Sequence, residues 1–264
     1  MSKVDDTLYI KEFSPDMIKP NTKSMAENST DGSKTIVIGK SGSGKSTVIA
    51  SLIHAKKHQI PVGNIFSGSE DSNGFFEKFM PPTFIFNEYN EDQLKKIIKR
   101  QKIARDRIPN PFSLLVLDDL ADNSKLFSTP MQQGIFKRAA RHNSIFYIIS
   151  LQYGMDIPRS IRVNTDLIFI LREPNFTIRR TLWENFASII PSFDIFCQMM
   201  DQLTNDYCCI AILNQVQTND WKECVFWYKA PLIPEGSWRF GCPEFWRYHE
   251  DRYNKNYVNT FDDI

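Results

Sequence analysis

The stretch GKSGSGKS at residues 39–46 matches the pattern G-x-x-x-x-G-K-[ST] at every fixed position. Three glycines allow consecutive backbone amides to turn toward one point without Cβ clashes, and a following helix adds the unpaired N–H groups of its first turn. Such a loop binds the phosphates of a nucleoside triphosphate. The sequence therefore predicts a nucleotide-binding protein.

The residues on either side of the loop fit the same interpretation. Residues 35–38, TIVI, are mostly β-branched, as is typical of a strand buried in a parallel sheet, and residues 46–56 have the pattern of a helix. In this strand–loop–helix unit, Lys45 is predicted to reach the β- and γ-phosphates and the Ser46 hydroxyl to contact Mg²⁺. The alternative is a chance Gly/Ser loop between ordinary elements. The residues predicted to bind the nucleotide are Gly39, Lys40, Ser41, Gly42, Ser43, Gly44, Lys45, Ser46 and Thr47.

Two aspartates follow a strongly apolar predicted strand. Residues 112–117 read FSLLVL and lead directly into Asp118 and Asp119. A strand buried on both faces brings carboxylates to the sheet edge where nucleotides bind, so this pair is predicted to complete the site. Asp118 would hold the water shell of Mg²⁺, and Asp119 would act as the base or position the water that attacks the γ-phosphate. The alternative is that one aspartate only caps a helix after a core strand.

Gln152 follows the next predicted core strand, residues 144–150. If this strand lies beside the one that carries Asp118, the Gln152 amide lies next to the γ-phosphate. There it would sense hydrolysis by donating to a phosphate oxygen or by orienting water. The alternative is a loop residue that caps backbone groups. Together, the loop, the aspartates and Gln152 predict a site that hydrolyses a nucleoside triphosphate.

The rest of the chain predicts an α/β protein with an antiparallel element near its end. Residues 1–33 are predicted to form a polar arm that adds an edge strand or packs on a neighbour, with partial disorder at 21–33. Residues 207–213 and 222–228 are predicted to pair as an antiparallel hairpin. The aromatic residues of 231–264 favour docking over base stacking. The other predicted strands are 64–67, 83–86 and 166–171, and the other predicted helices are 91–107, 128–141, 175–189 and 193–203.

Composition indicates an ordinary globular core, with 42% hydrophobic residues and a net charge of +1. With so little net charge, a nucleic-acid partner would have to be met by local patches or a pore. The basic outer face of the predicted helix 91–107 is either a solvated surface or a contact with nucleic acid or a subunit. No signal peptide or membrane-spanning run is apparent, so we expect a soluble, intracellular protein. The five cysteines lack paired spacing, which favours reduced core thiols over metal or disulfide roles.

The order of the motifs is more specific than the loop alone. After Asp118 and Asp119, the sequence RHNSI at 141–145 leads into the strand that ends at Gln152, and IRVN follows at 161–164. Over about residues 34–230 this order resembles the genome-packaging ATPases of nucleocytoplasmic large DNA viruses, which belong with the FtsK and HerA DNA pumps. The resemblance implies an α/β P-loop NTPase of the RecA-like (ASCE) type, with a mainly parallel central sheet flanked by helices and an antiparallel C-terminal hairpin.

The resemblance also implies partners and a place of action. The chain would divide into an N-terminal arm (1–33), a RecA-like ATPase domain (34–230) and a C-terminal tail (231–264) that docks on the core or on a neighbouring subunit. It would use ATP and Mg²⁺, assemble into a homo-oligomeric ring of five or six subunits, and drive double-stranded DNA into a preformed capsid. A capsid or inner-membrane portal component is an expected partner. The expected location is the viral assembly site in the host-cell cytoplasm, and retention in the virion stays open.

By this resemblance, Lys45 and Ser46 contact the nucleotide and Mg²⁺, and Gln152 is the sensor. The wider pump family ends its acidic strand in Asp-Glu, whereas this chain has Asp118 and Asp119. The second carboxylate is one methylene shorter, so a base at Asp119 needs an extra water or a closer approach. This departure leaves the assignment of Asp119 less direct than that of Asp118.

A ring motor also needs positive charge supplied across the subunit interface, where an arginine finger stabilises the transition state. Arg141 is favoured as the finger because the Arg-His pair before the sensor strand is the part that most resembles the packaging family. Arg138, Arg159 and Arg162 are the other candidates. For each of them the alternative is a routine surface ion pair.

Other functions fit the sequence less well. The most serious alternative is a related hexameric helicase or conjugation-type DNA pump, which shares the same ATPase core. A small-molecule kinase would need an acceptor pocket and an arginine-rich lid, a GTPase would need Asn-Lys-x-Asp, and an ABC-type ATPase would need Leu-Ser-Gly-Gly; neither of these two motifs occurs. The polar segments 68–74 and 121–128, the latter with Lys125, are candidate pore loops.

Overall fold

Within the residues that the computed structural model describes, 9–120, 125–152, 154, 157–218 and 220–252, nine strands form one sheet. In chain order the strands are β1 (Lys11–Glu12), β2 (Ser33–Ile38), β3 (Val62–Ser67), β4 (Ile85–Phe86), β5 (Ser113–Asp118), β6 (Ile145–Leu151), β7 (Leu167–Ile170), β8 (Cys208–Leu213) and β9 (Val225–Lys229). Across the sheet their order is β1-β9-β8-β7-β2-β6-β5-β3-β4.

The strand that precedes the phosphate loop lies at the centre of the sheet. β2 pairs in parallel with β6 on one side and with β7 on the other, and β5 pairs in parallel with β6. β8 is antiparallel to both β7 and β9, and its pairing with β9 is the predicted hairpin. The predicted mainly parallel sheet with an antiparallel C-terminal hairpin is therefore confirmed. β6 lies between β2 and β5. Because all three strands run parallel, their carboxyl ends meet at one edge of the sheet.

Both faces of the central strands are covered. Every residue of β2, β5, β6 and β7 is buried. Alternate residues of a strand point to opposite faces, so each strand contributes to two apolar cores. In β2, Ile36 and Ile38 join one core and Val37 joins the other. Burying such a branched side chain contributes about 1.5–3 kcal/mol, so packing on both faces fixes the position of each strand.

Helices flank the sheet within the described residues. They are α1 (Thr22–Ala26), α2 (Lys45–Lys56), α3 (Glu70–Asn73), α4 (Glu91–Arg107), α5 (Pro130–Gly134), α6 (Ala140–His142), α7 (Arg159–Arg162), α8 (Phe176–Phe186), α9 (Phe193–Leu203) and α10 (Pro243–Glu250). A π-helical turn, Ile135–Ala139, joins α5 to α6. Short 3₁₀ turns occur at Pro15–Met17, Pro82–Phe84, Leu126–Ser128 and Trp221–Glu223.

Side-chain caps fix the starts of several long helices. Asn90 accepts a hydrogen bond from the Gln93 amide at 3.0 Å before α4, and Ser192 accepts one from the Ile195 amide at 3.2 Å before α9. Helix α2 differs because its N-cap is Gly44, in a left-handed conformation and without a side-chain hydrogen bond. The first turn of α2 therefore keeps its N–H groups available to a ligand.

The N-terminal arm is ordered over its described part. β1 pairs in parallel with β9 at one end of the sheet, so the arm does add an edge strand. The partial disorder predicted at 21–33 is wrong. Asn21 and Ser24 form a capping box at the start of α1, and Ser33 opens β2. The polar character of the segment comes from its caps and turns, which need polar side chains.

Two further predictions of local structure are corrected. The polar segment 68–74 contains α3, because the buried Glu70 carboxylate accepts backbone amides that follow the helix and so closes the turn. The helix predicted at 175–189 is shorter in the structure, where α8 ends at Phe186. There the Trp183 indole donates to the Ile190 carbonyl at 3.0 Å, and Ile190 enters the core outside the helix.

The aromatic C-terminal segment packs against its own core over the described residues. Trp238 stacks on Phe79 with ring centroids 4.4 Å apart, and Phe245 stacks on Phe84 with centroids 4.2 Å apart. Stacked rings of this kind add specific contacts to the area that they bury. These contacts attach the segment beside β3 and β4, while residues 253–264 lie outside the described part of the chain.

Two sequence features can be compared directly with the structure. All five cysteines, Cys197, Cys208, Cys209, Cys224 and Cys242, are free thiols. None of the helices in the described ranges combines the length and the apolar character needed to cross a membrane.

The backbone around Gly32 leaves no room for a side chain. A Cβ at this position would overlap the carbonyl oxygens of Ala140 and Ile145, whereas a Cβ at Gly134 in α5 would meet no atom within 4 Å. We expect Gly32→Ala to lower the free energy of unfolding by about 1–3 kcal/mol, because the backbone must shift. Gly134→Ala should raise it by about 0.5–1 kcal/mol through helix propensity. Urea denaturation measures both values, and equal effects of the two variants would contradict this packing.

Candidate nucleotide-binding site

A cleft of about 700 Å³ opens at the carboxyl edge of the sheet, where β2, β5 and β6 end. The phosphate loop, Asp118, Asp119 and Gln152 all contribute to its lining. The volume lies within the range of about 300–1,000 Å³ that small-molecule sites occupy. The fold therefore brings together side chains that are more than a hundred positions apart in the sequence.

Glycines give the phosphate loop its shape. Gly42 (φ +73°) and Gly44 (φ +100°) adopt left-handed conformations, which residues with a Cβ rarely take. Gly39 is required for packing instead, because a Cβ there would lie 2.9 Å from the Cβ of Leu171. The loop and the first turn of α2 thus direct backbone N–H groups into the cleft, as phosphate binding requires.

Lys45 is buried at the base of the loop. Its Nζ donates to the carbonyl oxygens of Gly39 at 2.8 Å and Lys40 at 3.0 Å. Burial lowers the pKa of the Lys45 ammonium, and the carboxylates of Asp118 and Asp119 partly offset this effect. A lysine held by these loop carbonyls has its charge within reach of a phosphate bound in the loop.

Asp118 is a buried carboxylate with two different sides. Its Oδ1 accepts a hydrogen bond from the Ser150 hydroxyl, and its Oδ2 lies 3.5 Å from Ser46 Oγ. Burial and the neighbouring charge of Asp119 raise the pKa of Asp118, whereas the Ser150 hydrogen bond and the charge of Lys45 lower it. Burial is the largest effect, so the pKa is raised overall. A serine hydroxyl beside one carboxylate fits Mg²⁺, which keeps most of its waters and takes few protein ligands.

Asp119 and Gln152 contact each other directly. Asp119 has a left-handed backbone (φ +49°), which is uncommon for a residue with a Cβ, at the point where the chain leaves β5. Gln152 Nε2 donates to Asp119 Oδ1 at 2.6 Å. The Gln152 amide therefore lies beside the second carboxylate, and the predicted adjacency of their strands is confirmed.

Ser150 contacts both aspartates, which the sequence did not indicate. Its hydroxyl donates to Asp118 and accepts a hydrogen bond from the Asp119 backbone N–H at 3.1 Å. It is buried near the end of β6, two positions before Gln152. The only signal in the sequence is a small hydroxyl side chain late in an apolar strand, which many buried strands also contain.

Gly68 and Glu173 are two further residues that sequence patterns missed. A Cβ at Gly68 would overlap the Asp119 carbonyl oxygen, so only glycine allows this approach of the chain after β3. The buried Glu173 carboxylate binds Lys40 Nζ at 2.9 Å. Lys40 therefore contacts the chain after β7 and does not line the described cleft.

The four candidate finger arginines do not line the described cleft. Arg141 lies in α6, the short helix that leads into the start of β6 at the opposite edge of the sheet, and it pairs with Asp31 at 3.4 Å. Arg138 lies on the π-helical turn before it. Arg159 and Arg162 lie on α7, before the start of β7. The role of any of them as a finger in another subunit stays a prediction.

The candidate pore segments have definite structure where they are described. Two residues of the first segment line the cleft: Ser69, which precedes α3, and Asn73, which ends it. Residues 121–124 of the second segment lie outside the described residues, and Leu126 and Phe127 beyond them are buried.

Comparison with known proteins relates the chain to proteins of large DNA viruses. It is 42% identical over 91% of its length to the uncharacterized protein 088R of Invertebrate iridescent virus 3, of which it covers 93%. It is 35% identical over 97% of its length to the uncharacterized protein 015R of Frog virus 3, of which it covers 79%. The chain belongs to this family of viral proteins. No protein-family model matches it.

The fold of this family member is that of a viral genome-packaging NTPase. The packaging NTPase B204 of Sulfolobus turreted icosahedral virus 2, solved in complex with ATP-gammaS, is 17% identical with a TM-score of 0.55, and the match covers 77% of this chain and 99% of B204. The conjugation coupling protein TcpA of pCW3, with ATPgS, is 14% identical with a TM-score of 0.50, and the match covers 77% of this chain and 60% of TcpA. The resemblance to packaging ATPases and the predicted P-loop fold are therefore confirmed.

Burial of Asp118 makes stability depend on pH. The pKa of Asp118 in the folded protein lies above its ordinary value of 3.8, so the folded state binds this proton more tightly than the unfolded state does. Stability therefore falls as pH rises from the ordinary pKa to the pKa of the folded protein. We expect Asp118→Asn, which removes the charge, to raise the melting temperature at pH 7 in nucleotide-free protein with EDTA. Below about pH 3 the gain should disappear, since both carboxyl forms are then neutral.

Asp16 is the matched control with the opposite sign. The Thr22 amide donates to its carboxylate at 2.9 Å, and this hydrogen bond lowers the pKa of Asp16. Its charged form therefore contributes stability above the ordinary pKa, and Asp16→Asn should lower the melting temperature at pH 7. Shifts of the same sign in both variants would contradict the burial penalty at Asp118.

Proposed function

We propose that this protein is the ATP-hydrolysing motor that drives double-stranded viral DNA into a preformed capsid. The observation that carries the proposal is the contact of Gln152 with Asp119 in the cleft of the phosphate loop, at 2.6 Å. It couples a group that can sense the γ-phosphate to a group that can act on water. The relationship to proteins of large DNA viruses and the fold shared with B204 support packaging as the use of this energy.

Each side chain of the cleft has a role in hydrolysis. Lys45 and the amides of the loop and of the first turn of α2 bind the phosphates of ATP, and the charge of Lys45 stabilises negative charge that develops on the γ-phosphoryl group. Asp119 orients the attacking water and takes its proton. Gln152, which donates to Asp119, can donate instead to a phosphate oxygen, so the presence of the γ-phosphate changes the partner of its amide.

Ser46 and Asp118 would hold Mg²⁺ with the nucleotide. When bound, the ion neutralises phosphate charge and polarises the γ-phosphoryl group. The raised pKa of Asp118 does not oppose this role, because a cation beside a buried carboxylate favours its ionised form. Ser150 keeps Asp118 Oδ1 occupied, which leaves Oδ2 directed toward Ser46.

The motor acts as a homo-oligomeric ring of five or six subunits at the viral assembly site in the host cytoplasm. In the ring, Arg141 of one subunit supplies positive charge to the cleft of the next. This role is supported by its exposed guanidinium, whose side chain is 61% accessible, and by its position at the edge opposite its own cleft. A capsid or inner-membrane portal component receives the DNA.

A conjugation-type DNA pump is the second candidate function. The similarity to the coupling protein TcpA favours it, since that match also spans 77% of this chain. Both functions use the same hydrolysis site, so they differ in partners and not in chemistry. The viral relatives favour packaging over conjugation.

The first test is ATP hydrolysis with and without blunt duplex DNA. We expect DNA to stimulate the wild-type protein, and Lys45→Ala and Asp119→Asn to lower turnover by at least about a hundredfold, because each removes a group that acts in the transition state. Lys23→Ala, at an exposed lysine on α1, is the control and should keep turnover. Phosphorylation of a nucleoside or sugar, with no effect of DNA, would rule out the motor.

Mixed rings test Arg141 as the finger. Arg141→Ala alone should lower turnover by roughly 10³–10⁵-fold if it stabilises the transition state across the interface. Mixing it with Lys45→Ala subunits should restore part of the activity, since some interfaces then combine an intact cleft with an intact arginine. A mixture of Lys45→Ala with Asp119→Asn should stay inactive, because both substitutions damage the same cleft. Absence of rescue in the first mixture at every ratio contradicts the role of Arg141.

A further inference from the structure

The cleft extends well beyond the groups that bind phosphate. Beyond them it is lined by side chains from α2, from the turn between α9 and β8, from the end of β9 and from the chain after β9. This outer end includes Thr47, Tyr207, Lys229 and Leu232. A nucleoside triphosphate bound through the loop must place its sugar and base in a direction away from Asp119 and Gln152, and this outer end is continuous with the loop.

Tyr207 is an exposed aromatic residue held over the loop. Its side chain is 71% accessible, although aromatic side chains usually bury their rings. Its Cδ1 lies 3.5 Å from the position of a Cβ on Gly44, the N-cap of α2. Among the described residues its hydroxyl has no hydrogen-bond partner. Packing of the chain on itself therefore does not account for where this ring lies.

The backbone that carries the ring is unusual. Asp206 and Tyr207 are consecutive residues with left-handed conformations, φ +54° and +59°, and neither is glycine. Such conformations cost energy and are often found where a side chain is held for a ligand. The turn directs Tyr207 toward the loop at the point where the chain enters β8.

A second lining residue is apolar and even more exposed. Leu232 is 88% accessible and lines the same cleft from the chain after β9. Lys229 forms an ion pair with Asp206, so the two charged side chains at this end are paired with each other. The face of the Tyr207 ring and the Leu232 side chain are therefore apolar surfaces of the lining that a ligand can contact.

We infer that Tyr207 and Leu232 form a base platform, on which the aromatic base of the bound nucleotide stacks against the Tyr207 ring beside Leu232. This inference rests on the proposed function of the cleft. Stacking recognises a base by its face and not by hydrogen bonds to its edge, which suits a site where Asp206 and Lys229 are engaged with each other. The platform explains why a nucleotide would bind more tightly than its polyphosphate alone.

Binding of ATP and of inorganic tripolyphosphate, measured by calorimetry with Mg²⁺, separates the two ends of the cleft. Tyr207→Ala should weaken ATP binding roughly tenfold to a hundredfold, which is the usual contribution of one stacked base, and should leave tripolyphosphate binding unchanged. Tyr207→Phe, which keeps the ring, should restore ATP affinity. Tyr9→Ala is the control for loss of an exposed tyrosine elsewhere, since Tyr9 is 85% accessible.

Each other result overturns the inference in a recognisable way. Wild-type affinity for ATP in Tyr207→Ala excludes stacking, and an equal loss of ATP and tripolyphosphate affinity means that the ring only supports the loop. Loss of ATP affinity in Asp206→Asn but not in Tyr207→Ala means that the base is read at its edge. If wild-type protein binds neither compound, the proposed function fails as well, so the two failures are distinguishable.

Discussion

The Ser150 hydroxyl connects the two strands on which the cleft depends. It donates to the Asp118 carboxylate and accepts the Asp119 N–H at 3.1 Å, so one side chain near the end of β6 holds both aspartates at the end of β5. β6 also pairs with β2, which leads into the phosphate loop. The order of strands in the sheet therefore determines the positions of the charged side chains. An insertion in any of these three strands would shift the groups relative to one another, because the register of a strand moves as a unit.

Two opposite charges are kept away from water in this cleft, and neither is fully compensated there. Burial raises the pKa of Asp118 and lowers the pKa of Lys45, while each charge favours the ionised form of the other. Removing a charge from water costs several kcal/mol unless it is well paired. Hydrogen bonds from Ser150 to Asp118, and from Lys45 to two loop carbonyls, reduce that cost without removing it. These two partly compensated charges are the ones to which the function proposed above assigns the phosphates and Mg²⁺.

The sequence predicted the parts of the site that depend on local order along the chain. Glycines and Lys45 must be consecutive for a loop to enclose phosphate, so the pattern alone identifies them. Ser150 and Gly68 could not be identified in this way, because their roles arise from contacts between strands that are distant in the sequence. Arg100 illustrates the same limit on the fold. Helical spacing places Arg100 on the basic outer face predicted for the helix 91–107. In the structure its guanidinium instead turns inward and donates to Asn64 Oδ1 at 3.0 Å.

The two edges of the sheet differ in charge, and this difference bears on how subunits would associate. The carboxyl edge holds Asp118 and Asp119, and within the described part of its cleft Lys45 and Lys229 are the basic residues of the lining. Arg141 lies at the amino edge. A two-fold dimer brings one surface against its own copy, so an interface made by one edge alone would leave Arg141 away from the cleft of its copy. Head-to-tail association brings the amino edge of one subunit to the carboxyl edge of the next, and when the rotation closes it gives a ring. In the ring proposed above, this head-to-tail arrangement would also bring Arg141 of one subunit to the cleft of the next.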